Sequence, residues 1–136
     1  MSYLMASSLQ MALYQALATD ELVAQLSGGV IYDAQPVGVA EGTYVSLGPE
    51  DVLDISDRSG AIARHDFIVS VVTDAAGFQA AKRLAEAVTA CLTGTGLTLE
   101  TGRVSGLWFR KAKARRVGTN ATRRIDLTFR AHLASE

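Results

Sequence analysis

A chain of 136 residues has room for one domain and one core. Apolar residues make up 49% and charged residues 20%, the balance of an ordinary globular protein, and the formal net charge of −1 speaks against a general polyanion binder. The single cysteine, Cys91, excludes an internal disulfide and a cysteine-based zinc cluster and suits a reducing compartment.

The chain opens with an apolar, Ala- and Ser-rich stretch whose first charged residue is Asp20. A secretion signal begins with a basic segment, so residues 1–18 are read as part of the fold. No run approaches the roughly 18 apolar residues that span a bilayer, and a soluble, cytoplasmic product without a membrane partner is expected.

Leu4, Leu9, Ala12, Leu13, Ala16 and Leu17 recur at helical spacing and predict an amphipathic helix over 2–18. Thr19-Asp20-Glu21 reads as a cap for a short helix over 21–26, which Gly28-Gly29 stops. A short strand over 30–32, a loop over 33–43 and a strand over 44–47 follow, the last ended by Gly48-Pro49. Residues 51–60 hold scattered charges and isolated Val52, Leu53 and Ile55. They read as a poorly ordered loop or the arm of a long hairpin.

Residues 61–73, rich in β-branched side chains, form a long strand covered on both faces near its end. After a turn at 74–77, the stripe of Ala81, Leu84, Ala85, Val88 and Leu92 predicts the best helix of the chain, over 78–92, ended by Gly94 and Gly96. A short strand is expected at 97–99, then two strands over 104–112 and 122–133 joined by a basic turn. In the last strand Ile125, Leu127, Phe129, Ala131 and Leu133 alternate with Asp126, Thr128, Arg130 and His132, so one face packs on helices. The fold class is α+β, a mostly antiparallel sheet packed on two main helices, with residues 1–136 as one domain.

Chemistry is sparse. His65 and His132 both fall in strands, and His65 and Asp66, as strand neighbours, point to opposite faces. Both histidines are read as surface or interface side chains rather than general bases. Cys91 sits late in an amphipathic helix and reads as a small buried thiol. Gly94-Thr95-Gly96 precedes a strand and opens no dinucleotide site. Asp51, Asp54 and Asp57 are spaced by three but lack the glycine and closing glutamate of a calcium loop. No catalytic, cofactor or metal site is expected, and no enzyme activity.

Charge is unevenly placed. Residues 1–102 carry 12 acids and 4 bases, whereas residues 103–136 carry 9 bases and 2 acids. Arg110, Lys111, Lys113, Arg115 and Arg116, with Arg123 and Arg124 across a Gly/Asn turn, make a basic finger. It suits phosphates, through counterion release, and equally suits acidic protein surfaces. Trp108 and Phe109 precede it, one per face, one expected in the core and the other as an exposed anchor.

Order and spacing together carry a resemblance. Leu9-Gln10-Met11-Ala12-Leu13-Tyr14-Gln15-Ala16-Leu17 precedes Gly28-Gly29-Val30-Ile31-Tyr32-Asp33 and then Tyr44-Val45-Ser46-Leu47-Gly48. The strand 65–72, the helix containing Ala81-Lys82-Arg83-Leu84-Ala85-Glu86-Ala87-Val88 and the closing Arg124-Ile125-Asp126-Leu127-Thr128-Phe129-Arg130-Ala131 complete it. Over nearly its full length the chain resembles the tail completion, or tail terminator, family of siphophages, akin to the lambda-type terminator and most similar to the gene transfer agent version. The resemblance implies a virion structural protein of the neck. It would form a homohexameric ring on the head-proximal end of the tail tube, stop tube polymerisation, join the head connector (or stopper) protein and let DNA pass without reading its sequence. Asp51, Asp54, Asp57 and Arg58, with the seven bases of the finger, are the expected contacts to neighbouring subunits or the tube. The alternative is a small nucleic-acid-binding module using hairpin 110–124.

Overall fold

A computed structural model describes residues 3–33, 42–94, 96–118 and 122–135. The start of the expected first helix at Ser2, most of the loop at 33–43, Thr95 and the tip of the basic turn at 119–121 lie outside the described residues.

Among the described residues three helices lie on one side of a five-stranded sheet, the second of them packed chiefly on the other two. Helix α1 (Ala6–Thr19) buries Leu9, Leu13 and Leu17, one side chain per turn along a single stripe. Asp20 then ends α1 and caps α2 (Glu21–Ser27), its carboxylate accepting from the Val23 amide at 3.0 Å. Thr19, expected to share the cap, bonds back to the Gln15 carbonyl instead. Gly28, at φ 67°, takes the left-handed turn that closes α2. Helix α3 (Gln79–Gly94) buries the anticipated Ala81, Leu84, Ala85, Val88 and Leu92.

The strands are β1 (Ile31–Tyr32), β2 (Tyr44–Asp54), β3 (Ile62–Thr73), β4 (Arg103–Arg116) and β5 (Arg123–Ala134), in the order β1-β2-β3-β5-β4. Every pairing is antiparallel except β1 with β2. The expected α+β class is borne out. Val45, Leu47, Phe67, Val69, Val71 and the alternate residues Ile125 to Leu133 of β5 face the helices and form one core with them. Phe67 stacks on Phe129, ring centroids 5.6 Å apart, at the middle of that face.

Three expectations need correction. The second strand does not stop at Gly48-Pro49; it bulges there and continues to Asp54. A proline lacks the ladder donor, and Gly48 lies so close to β3 that a Cβ would stand 3.0 Å from the Ile68 carbonyl. Residues 51–54 are therefore the paired arm of the hairpin rather than a loop. Residues 97–99 form no strand: Leu97 and Leu99 are half-buried on an extended connection against the core. Finally, Lys113, Arg115 and Arg116 lie not in a turn but on β4, which runs four residues beyond the expected end.

Candidate assembly interface

The two long edges of the sheet carry opposite charge. On one side, β1 reaches only Val45 and Ser46, so the second half of β2 is the edge. It presents exposed Asp51, Leu53 and Asp54 and leads into the turn of Asp57 and Arg58. Ser56 and Ser59 hydroxyls and amides donate to Asp54 and Asp57, at 2.5–2.9 Å, and hold both carboxylates below their usual range. These acids therefore stay ionised at any pH near neutral. They are separate Asp–Ser turns, not a cation cage, and among the described residues no three metal-binding side chains converge.

On the other side β4 offers its whole length, with residues 108–116 exposed throughout. Lys111, Lys113 and Arg115 register against Thr128, Asp126 and Arg124 on the face bare of helices. Ala112 and Ala114 register against Leu127 and Ile125 on the helix side. A bulge at Arg110 separates Phe109 from Lys111. The expected acidic and basic residues are thus not brought together within one chain: β3 and β5 stand between them.

Arg123 and Arg124, grouped with the finger by sequence, are placed inside the sheet. Arg123 lies 5.5 Å from the centre of the Phe78 ring, and Arg124 donates to Asp126 at 2.8 Å and to Ser70 at 3.1 Å. Burial pushes the Asp126 carboxyl up, but hydrogen bonds from Ser70 and Arg124 outweigh it and leave the group below its ordinary value. The same pattern recurs two rungs away. Arg130 grips Asp66 with two nitrogens, at 2.7 and 3.1 Å, which holds that carboxylate low despite partial burial. Sequence gave no sign of these ladders, because Asp66 and Arg130 meet only through the β3–β5 register.

Trp108 and Phe109 do point to opposite faces, but neither enters the core: they are 46% and 45% exposed. Phe109 touches Phe129 edge-on at 6.0 Å. Trp108 stands edge-on to His132 at 4.7 Å. Gly106 makes room for its indole, since a Cβ there would come within 2.7 Å of the ring.

The histidine expectation is corrected at His65, which is fully buried on the helix side. Its Nδ1 is 3.3 Å from Glu50 Oε2, and Nε2 has no partner among the described residues. Tyr3 donates its hydroxyl to the other Glu50 oxygen at 3.2 Å. Asp66 faces the opposite way, as the strand alternation required. Cys91 is half-buried, donates to the Ala16 carbonyl at 3.4 Å, and is pushed up to about 11 by burial and by Asp20, so its thiol is inert near neutral pH.

The model of the family described as tail completion protein gp17 matches residues 11–134. The chain belongs to that family. A solved structure described as the virion of a native gene transfer agent particle contains a chain 56% identical to this one, with a TM-score of 0.89, covering 98% of this chain and 99% of that one. Among curated proteins none matches. The resemblance to tail completion proteins, the gene transfer agent version included, is borne out.

Proposed function

We infer that this tail completion protein is a structural component of a phage-like particle's neck. Copies of it form a hexameric ring at the head-proximal end of the tail tube. The ring stops tube polymerisation and offers the surface on which the head connector docks, DNA passes through its opening, and the protein carries out no catalysis. The observation that supports this most is the near-identical fold, at 56% identity over 98% of the chain, within a gene transfer agent virion. The geometry is compatible: a closed head-to-tail ring needs two different, complementary patches on each subunit, and an acidic and a basic edge lie at opposite sides of one sheet. The interface residues are those of the two edges, Asp51, Asp54, Asp57 and Arg58 on one and Arg110, Lys111, Lys113, Arg115 and Arg116 on the other. Arg123 and Arg124 contribute by holding the sheet behind them.

Electron microscopy of particles with the chain tagged tests the reading. Six tags around the axis at the neck are expected, and particles lacking the chain should carry tubes of uncontrolled length without heads. A label elsewhere in the particle, or normal particles without the protein, would refute the role. Salt-sensitive retention of the isolated chain on DNA, with no ring in the particle, would favour the nucleic-acid module.

A further inference from the structure

Resting on the ring reading, we propose that neighbouring copies join by strand addition, the β2 arm of one copy pairing antiparallel with the free edge of β4 in the next. Among the described residues nothing pairs with the outer side of β4, or with the outer side of β2 beyond Ser46. Such rows of open backbone donors and acceptors are templates for another strand. Direction agrees. Three antiparallel steps separate β2 from β4, so the two run opposite ways, and copies related by rotation present them to each other antiparallel.

The side chains select a register. Within the sheet, Asp51 stands level with Asp66, Arg130 and Trp108. Pairing at that level would set the Asp51 carboxylate on the indole. A slip of about two residues keeps every side chain on its face. It lays Leu53, 50% exposed, on Trp108, on the face bare of helices. Val52 then meets Phe109 on the helix side, and Asp51 comes beside Lys111. Apolar meets apolar on both faces, and acid meets base on the face bare of helices, which cross-strand pairing rewards. The Gly106 cradle, which makes room for the Trp108 ring along the strand edge, is explained by the same contact.

Cysteine pairs in a Cys91→Ser background test this in assembled particles. Leu53→Cys with Trp108→Cys should give chain-to-chain disulfides under mild oxidation, in a ladder up to the closed ring, while neither single variant cross-links. Asp51→Cys with Lys111→Cys should do the same without touching the indole. In the unsubstituted chain, β4 amides around 107–113 should exchange hydrogen far more slowly in the particle than in the free protein, a readout that needs no variant. A ring visible at the neck with no cross-link in either pair, or with β4 amides unprotected, overturns strand addition and leaves the ring standing. Cross-linking of a single variant with itself overturns it too, since it means like edges meet. Absence of any ring overturns both.

Discussion

The central strands β3 and β5 and the edge strand β4 treat charge in opposite ways. In the centre each carboxylate is answered within the chain: Asp66 by Arg130, and Asp126 by Arg124 and Ser70. On β4 the bases between residues 110 and 116 stand exposed, Arg115 reaching Asp126 at 3.4 Å. Aromatic side chains divide likewise, Phe67 and Phe129 stacked in the core, Trp108 and Phe109 half in water. The difference separates residues that hold the monomer from residues available to partners. Substitutions in the two regions should therefore fail in different assays.

The largest effect belongs to the centre. Phe129→Ala leaves a cavity where Phe67, Phe109 and the helices meet, and should cost about 3–5 kcal/mol. Thermal or denaturant unfolding checks it, and a loss under about 1 kcal/mol would mean the sheet core is elsewhere. Next comes Asp66→Asn, which removes the ionic half of a two-point grip and should cost on the order of 1 kcal/mol at pH 7. The pH dependence sharpens the point. Asp66 has a folded-state pKa below its unfolded value, so its stabilisation is present above the unfolded pKa, roughly 3.9, and is lost as pH falls through the folded one. Asp66→Asn should flatten that acid limb of the stability curve, and an unchanged limb would assign it to other carboxylates. Asp20→Ala, removing the α2 cap, should cost about 1 kcal/mol with no effect on particle assembly. Smallest of all, Lys111→Ala and Lys113→Ala should each shift stability by less than about 0.5 kcal/mol. A larger loss in unfolding experiments would mean that β4 is part of the monomer's own framework, blurring the contrast.

The elements of this contrast were unequally legible in the sequence. Period-two alternation in residues 125–133 and the 81–92 stripe placed β5 and α3 because each buries one face only. The length of β4 was hidden. Lys113, Arg115 and Arg116 lack strand character, and only pairing with β5 keeps them extended. Pro49 masked the continuity of β2, since a bulge rather than a stop accommodates it. His65 looked like a surface group because polarity alone cannot show that it is buried beside Glu50. The charge split along the chain did announce two unlike patches. That they lie on opposite edges follows from strand order, which no local pattern encodes.

The claim that the exposed charges of β4 serve assembly and not folding is tested most directly by reversing two of them. Particles carrying Arg115→Glu with Arg116→Glu should lose head attachment, while the purified variant unfolds within about 1 kcal/mol of the parent. Normal numbers of complete, headed particles from that variant would contradict it.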